Sequence, residues 1–154
     1  NISVRTVIDL DWEYPAIEGF QDILSAFGQQ NFTALIQQLR SALGAQYQIS
    51  FASGGFQQYL DSSVEWKKIM PLVNNVNIMS YDLVNGYSKV TGHHTPLFSS
   101  RPKEESLDNA VQYLLRLGIP PQKIIMGSAF LHQNLGKMSP RKTMVCIILV
   151  SIRT

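Results

Sequence analysis

Short apolar runs of strand length alternate along this chain with stretches whose apolar residues recur at helical spacing. The strand-like runs cover residues 7–11, 47–52, 76–81 and 123–130. Helical spacing follows residues 31–43 and 107–117, and residues 66–73 form an amphipathic stretch. This alternation predicts an α/β fold with a parallel sheet and right-handed crossover connections.

Residues at the ends of these stretches predict where the helices begin and end. Asn31 precedes the first helical stretch and is expected to be its N-cap. Gly118, followed by Pro120, should end the last helix, because glycine tolerates the left-handed conformation that ends many helices. Residues 83–104, rich in Gly, Ser, His and Pro, are predicted to form a long loop.

Composition restricts the class of protein. The chain has 154 residues, of which 45% are hydrophobic and 16% charged, as is typical of a globular domain with a real core. A net charge of +2 without a basic, aromatic-rich cluster gives no reason to expect a nucleic-acid partner. No apolar run reaches the roughly 20 residues of a membrane span, so no membrane partner is expected. The oligomeric state stays open.

Acids occupy every other position at the end of the first strand-like run: Asp9, Asp11 and Glu13. Alternate residues of a strand point to one face, so the three carboxyl groups should converge there. Like charges packed together cannot all stay ionised cheaply, so at least one should hold a proton near neutral pH. A carboxyl that holds a proton beside an ionised carboxylate suits glycosidic bond cleavage. Acids near a strand end also occur in solvated or metal-binding positions.

The run Asp9-Leu10-Asp11-Trp12-Glu13-Tyr14-Pro15 resembles the signature of the chitinase family, the family-18 glycoside hydrolases, which reads Asp-x-x-Asp-x-Asp-x-Glu followed by Tyr-Pro. Thr6 stands where that signature has its first Asp. Met79-Ser80-Tyr81-Asp82 matches the family's Met-x-Tyr-Asp, and Gly92-His93-His94-Thr95-Pro96-Leu97 matches a loop common in bacterial and animal chitinases. The resemblance covers roughly residues 7–130.

The resemblance implies a partial (β/α)8 TIM barrel. A full barrel has eight strands and about 250 residues, whereas motif order gives this chain approximately strands four to seven with their helices. We therefore expect residues 1–130 to be a partial catalytic barrel from a larger parent protein. Secretion or a periplasmic location is expected for that parent, although no signal peptide is visible after Asn1.

The family's reaction implies hydrolysis of β-1,4-linked N-acetylglucosamine, in chitin or chitooligosaccharides, with retention and substrate assistance. The N-acetyl oxygen attacks its own anomeric carbon, and water opens the resulting oxazolinium ion. Carbohydrate is the expected partner, and neither a cofactor nor a metal is expected. His93 and His94 point apart in an extended loop and make a poor metal pair.

By resemblance, Glu13 donates the proton to the glycosidic oxygen. Asp11 bonds the acetamido N–H and shares a proton with Asp9 or Glu13, and Asp9 sets the position of that proton. Tyr81 donates its hydroxyl to the acetamido oxygen. The expected substrate-binding residues are Met79, Asp82 and Tyr14. Trp12 and Trp66 are expected to pack in the core.

Residues 131–154 depart from the family pattern. The family continues Phe-Tyr-x-Arg-x-Trp-Glu, whereas Phe130 is followed here by Leu131-His132-Gln133-Asn134-Leu135-Gly136. The codons TTA CAC CAG AAT TTG GGA, read one nucleotide later, give Tyr-Thr-Arg-Ile-Trp. We expect a frame-shifted tail without native barrel structure, from sequencing error or gene decay. The alternative is that residues 145–150 form an ordinary buried strand.

Alternative functions remain open at this point. We favour descent from an active enzyme and inactivity of this chain itself, because Thr6 removes one acid and barrel strands are missing. A chitinase-like lectin is a second hypothesis, although such proteins typically lose the acid equivalent to Glu13. An endo-N-acetylglucosaminidase acting on N-glycans is a third. A polypeptide that neither folds alone nor has a function is the last.

Overall fold

The computed structural model describes residues 7–17, 27–86, 88–129 and 147–151. Strands and helices alternate through most of this part of the chain. They are β1 (Val7–Leu10), α1 (Gly28–Leu43), β2 (Gln48–Gly54), α2 (Gln57–Ser62), α3 (Trp66–Ile69), β3 (Asn75–Met79), α4 (Leu107–Arg116), β4 (Ile124–Ala129) and β5 (Ile147–Ser151). The predicted α/β class is confirmed, and each of the four predicted strands is present.

Strands β1 to β4 form a parallel sheet in chain order, and β5 pairs with β4 in the antiparallel direction. Between the neighbouring strands β1 and β2, Asp9 pairs with Ser50 and Leu10 pairs with Phe51. Because the connections from one parallel strand to the next contain helices or long loops, the carboxyl ends of β1 to β4 meet at one edge. That edge is where the predicted site residues should gather.

The core lies between one face of the sheet and the helices. Fully buried strand residues on this face include Ile49, Phe51, Val76, Ile78 and Ile124. Helix α1 contributes buried apolar side chains to the same cluster, and α3 contributes Trp66. The Trp66 indole N–H donates to the Leu60 carbonyl at 2.8 Å, so the predicted core role of this tryptophan is confirmed.

Helix α1 begins earlier than the sequence indicated. It starts at Gly28, with Phe27 in the N-cap position and no capping side-chain hydrogen bond, so the prediction of Asn31 as N-cap was wrong. The reason is close backbone packing: a Cβ at Gly28 would lie 2.1 Å from the Ala16 nitrogen. Only glycine permits the helix start to approach the β1–α1 connection this closely.

Helix α4 ends as predicted. Its last residue is Arg116, and Gly118 just beyond has a φ of 81°, a conformation that glycine adopts without strain. At its start, the Ser106 hydroxyl accepts a hydrogen bond from the Asn109 N–H at 3.3 Å. The predicted long loop is also confirmed, since residues 80–86 and 88–106 contain no helix or strand.

Two cations join the loops at the amino ends of the strands. The Arg40 guanidinium donates to three carbonyls and one side-chain amide: Leu72 at 2.7 Å, Gly44 at 2.8 Å, Tyr47 at 2.8 Å and Asn74 Oδ1 at 3.0 Å. The Lys123 ammonium donates to the Met70 and Val73 carbonyls at 2.6 and 2.8 Å. We call these two residues, with the carbonyls they bind, the basal clamp.

Within the tail, residues 147–151 join the sheet as β5. The hypothesis that residues 131–154 are encoded in a shifted reading frame stays a prediction. The motif residues 131–136 lie outside the described residues. The alternative strand at 145–150 overlaps β5, which is shifted by one residue at its end and runs against the direction of its neighbour. Across the described ranges, no helix combines the length and apolarity needed to cross a membrane.

Candidate active site

The three alternating acids lie on the face of the sheet that the helices leave open. Asp9 is within β1, and Asp11 and Glu13 continue its alternation past the strand end, all three exposed. Trp12, between two of them, turns to the core, where its ring meets Phe32 edge-on at 5.9 Å. The expected packing role of Trp12 is therefore confirmed.

Asp9 is held by polar residues of the two neighbouring strands. Its Oδ1 accepts a hydrogen bond from the Ser50 hydroxyl at 2.5 Å and another from the Asn77 side-chain amide at 2.9 Å. Sequence reasoning missed Ser50 and Asn77. The signal was present, because each is a polar residue between apolar neighbours in a strand and so faces the side opposite the core.

Asp11 is placed where its charge is disfavoured. Although the Asp11 residue is exposed, partial burial of its carboxyl raises the pKa of that group, and the charges of Glu13 and Asp9 raise it further. The direction agrees with the expectation that neighbouring acids hinder one another's ionisation. The two neighbours act on Asp11 through space, which brings the three predicted acids into one electrostatic group.

Tyr14 has an apolar and a polar end. Its ring packs edge-on against Phe56 at 5.3 Å and Tyr59 at 5.5 Å, and so belongs to the core. Burial raises the pKa of the Tyr14 hydroxyl well above its usual value, and hydrogen bonding with Glu13 raises it further. The hydroxyl therefore stays protonated and donates to the carboxylate that the sequence singled out as the acid.

Tyr81 and Asp82 follow the end of β3. Burial raises the pKa of the Tyr81 hydroxyl, and the charges of Glu13, Asp11 and Asp82 raise it further, so this phenol lies among the acids. Gly127 on β4 lies beside its ring: a Cβ there would meet Tyr81 Cε1 at an ordinary contact distance of 3.4 Å but would lie only 2.7 Å from the Ile78 carbonyl. A glycine is required here by close approach rather than by backbone conformation.

The long loop returns to this edge through His94. Its Nδ1 lies 3.4 Å from Asp82 Oδ1 and 3.4 Å from the Val84 carbonyl, and its own carbonyl accepts from the Leu83 N–H at 3.2 Å. On sequence grounds, His94 is only one half of a poor metal pair. Its contact with Asp82 connects the loop directly to the predicted substrate-binding residues.

The predicted site residues thus come from two strands, β1 and β3, that flank β2. The strand ends carry them: Asp9, Asp11, Glu13 and Tyr14 from β1, and Met79, Tyr81 and Asp82 from β3. Carboxyl groups that compete for protons, beside protonated phenols, can donate a proton and hydrogen-bond a polar substrate. In the described ranges, His, Cys, Asp and Glu form no group of three placed to hold a metal ion.

Comparison with known proteins agrees with the sequence motifs. The family model described as "Glycosyl hydrolases family 18" matches residues 6–143. Chitotriosidase-1 of Mus musculus is 32% identical over 133 residues, covering 78% of this chain and 28% of that protein. Chitinase 2 of Yersinia entomophaga is 35% identical, covering 79% of this chain and 22% of that protein.

Solved structures agree with the fold. A family-18 N-acetylglucosaminidase from Paenibacillus barengoltzii superposes with a TM-score of 0.69 at 33% identity, covering 77% of this chain and 37% of that one. This chain therefore spans about a quarter of the two relatives and about a third of the solved structure.

Proposed function

Because the chain belongs to glycosyl hydrolases family 18, we propose that its parent protein hydrolyses β-1,4-linked N-acetylglucosamine polymers, with retention and with assistance from the substrate. The observation that carries this proposal is the alternation of Asp9, Asp11 and Glu13 on the open face of the sheet, within electrostatic range of the Tyr81 hydroxyl. The substrate's own acetamido oxygen supplies the nucleophile, so the protein needs one acid and groups that orient the acetamido.

The residues of the site divide the reaction among them in this proposal. Glu13 gives its proton to the glycosidic oxygen, and the Tyr14 hydroxyl bonded to it keeps the carboxyl in place. Asp11, whose raised pKa favours a held proton, bonds the acetamido N–H, and Asp9 fixes the shared proton through its own bonds to Ser50 and Asn77. The Tyr81 hydroxyl donates to the acetamido oxygen. Pocket walls come from Met79, Asp82 and Tyr14.

The proposal also assigns the architecture. Strands β1 to β4, parallel and in chain order, correspond to strands four to seven of an eight-stranded barrel whose interior is the open, polar face of this sheet. Catalytic groups of such barrels stand at the carboxyl ends of the strands, which is where these acids are. A secreted or periplasmic parent protein and an altered tail at residues 131–154 belong to the same proposal.

We propose further that this chain itself does not turn over substrate. Its acids are exposed to water, where charge interactions are several-fold weaker than in an enclosed site. Electrostatic stabilisation of the oxocarbenium-like transition state depends on an enclosed, preorganised environment. Thr6, in place of the first acid of the signature, removes one further charge.

The test separates binding from turnover. We expect calorimetry to detect N-acetylglucosamine dimer binding to the purified chain, and Tyr81→Phe to weaken it about tenfold, the effect of one hydrogen bond. Tyr113→Phe on α4 is the matched control and should bind normally. A chromogenic oligomer should remain uncleaved. Robust cleavage by the chain alone would contradict the proposed inactivity.

Turnover is then tested in an enclosed barrel. Residues 7–129 replace the matching segment of a full-length family-18 chitinase, and the chimera should hydrolyse the chromogenic oligomer. Glu13→Gln in the chimera should lower kcat by roughly 10²–10⁴-fold, the usual contribution of a general acid. Glu65→Gln, which removes a carboxylate paired with Lys68 on the surface, should leave kcat unchanged. Equal rates in both variants would exclude Glu13 as the acid.

A further inference from the structure

A groove lies at the amino ends of β3 and β4, at the opposite edge of the sheet from the candidate active site. One wall comes from α3 and the two residues that follow it, and the other from the turn between α4 and β4. Its volume is about 350 Å³. A volume of this size is at the lower end of the range for small-molecule sites.

The lining of the groove is mostly apolar. The buried side chains of Trp66, Met70 and Ile119 form its floor. Two exposed prolines, Pro71 and Pro120, border it. An apolar group placed here removes these surfaces from water, and the gain in binding grows with the apolar area covered.

Backbone hydrogen bonds fix both walls of the groove. The Met70 N–H donates to the Trp66 carbonyl at 3.0 Å, which holds the wall that α3 provides. In the other wall, the Ile119 N–H donates to the Leu114 carbonyl at 3.2 Å. A ligand therefore meets walls that are already ordered, and little conformational freedom is lost when it binds.

Two lysines bring positive charge to the groove. Lys67 on α3 is exposed, whereas Lys123, a member of the basal clamp, is half-buried. In the part of the chain that the structure describes, neither lysine pairs with a carboxylate, and no acid lines the groove. The adjacent Lys68 differs, because its ammonium pairs with Glu65 at 2.7 Å.

The charge of the basal clamp is not neutralised within the described ranges. The Lys123 ammonium donates to two carbonyls, and the Arg40 guanidinium donates to carbonyls and an amide, so all these partners are uncharged. Burial lowers the pKa of the Lys123 ammonium, and the charge of Arg40 lowers it further. A half-buried cation beside a second cation is stabilised when an anion comes close.

We propose that this groove binds a small amphiphilic anion, a monocarboxylate with an unbranched hydrocarbon body. The carboxylate lies between the ammonium groups of Lys67 and Lys123, and the hydrocarbon covers the apolar floor. An ammonium has three N–H groups, of which the Met70 and Val73 carbonyls take two from Lys123. The third is left for the ligand among the described residues. The site lies at the opposite ends of the strands from the acids, so it goes beyond the proposed hydrolysis and does not depend on it.

Three ligands test the chemistry of the site on the full wild-type chain. Calorimetry compares octanoate with acetate, which lacks the hydrocarbon body, and with octanamide, which lacks the charge. We expect octanoate to bind at least about tenfold more tightly than either, because each buried methylene tightens binding about fourfold and a neutral amide gains little from the lysines. Equal affinity for octanoate and octanamide would overturn the proposed anion site. Equal affinity for octanoate and acetate, or no binding of octanoate, would overturn the amphiphile site.

Adjacent lysines on α3 provide matched variants. Lys67→Met should weaken octanoate binding about threefold, the effect of one exposed charge pair, whereas Lys68→Met should bind normally because Glu65 already neutralises that ammonium. Lys123→Met should weaken binding about tenfold or more, the effect of a hydrogen bond from a charged group. Lys67→Met keeps the test valid if loss of the clamp unfolds Lys123→Met. Equal weakening in Lys67→Met and Lys68→Met would show unspecific attraction to a basic helix and overturn the site.

Amide NMR spectra locate the bound octanoate. Two reporters lie at the groove: the Gly118 N–H, and the Trp66 indole N–H, which donates to the Leu60 carbonyl. Both resonances should shift during the titration, whereas the N–H of Gly127, beside the Tyr81 ring, should not. Shifts at Gly127 without shifts at Gly118 would place the ligand at the candidate active site and overturn the proposal.

Discussion

At the scale of single residues, the ionised form of Asp11 destabilises the folded chain. Its pKa is raised from the ordinary value of 3.8 by burial and by Glu13 and Asp9, so the folded chain holds this proton more tightly than the unfolded chain. Stability therefore falls as the pH rises from 3.8 through the raised value, and the full penalty is present above it. We expect Asp11→Asn to raise the melting temperature by a few degrees at pH 7 and to change it little at pH 3, as followed by circular dichroism.

The control for this experiment is another acid in a favourable place. Asp108 lies in the first turn of α4, where a negative charge is stabilised by the helix dipole. Asp108→Asn should lower the melting temperature slightly at pH 7. A rise in both variants, or a fall in Asp11→Asn, would show that the acids at the end of β1 do not repel one another.

Residue types and spacing were enough to identify the acids and Tyr81, but not the residues that support them. The acids stand out because charged residues are rare in strands. Ser50 and Asn77 show only the alternation of polar and apolar residues, which predicts that they face away from the core but not which carboxylate they bind. Their role depends on register, which places Asp9 beside Ser50 and leaves Asn77 within reach of the same carboxylate. Register is a property of the folded sheet.

At the level of secondary-structure elements, the basal clamp joins the end of α1 to the loop before β3. Removing the Arg40 guanidinium leaves its carbonyl acceptors and the Asn74 side chain to find other donors. These acceptors are partly buried, and an unsatisfied buried acceptor costs about 1–3 kcal/mol, so we expect Arg40→Met to lower the free energy of unfolding by roughly 2 kcal/mol in urea titrations. Arg116→Met, on the exposed last turn of α4, should change it by less than about 0.5 kcal/mol. Similar losses in both variants would exclude the clamp.

Elements differ in how far the sequence predicts them. The ends of the four parallel strands fell within one or two residues of the apolar runs, because a short apolar run is a local signal in the sequence. The start of α1 did not, since it depends on the contact between Gly28 and Ala16 rather than on a capping residue. The direction of β5 could not be predicted from its own composition, because pairing with β4 is a long-range choice.

At the scale of the whole molecule, one face of the parallel sheet is covered and the other is open. Helices cover the first, whereas the second carries the exposed Asp9, which lies over the buried polar side chains of Ser50 and Asn77. β1 is the edge of the sheet in the described part of the chain, and an edge strand offers free backbone hydrogen-bonding groups to another chain. The polar side chains make the open face compatible with water, so association should occur through the edge.

The edge leads to a prediction about assembly. Val7 on β1 is 51% exposed, and a lysine at such a position opposes edge-to-edge pairing because it brings a solvated charge to the interface. We expect sedimentation velocity to show concentration-dependent association of the wild-type chain that Val7→Lys reduces several-fold. Leu35→Lys, at a position on α1 that is 38% exposed, should associate like the wild type, because a helix face offers no free backbone groups. A wild-type chain that stays monomeric at all concentrations would show that the edge of β1 does not pair with another chain and would contradict this prediction.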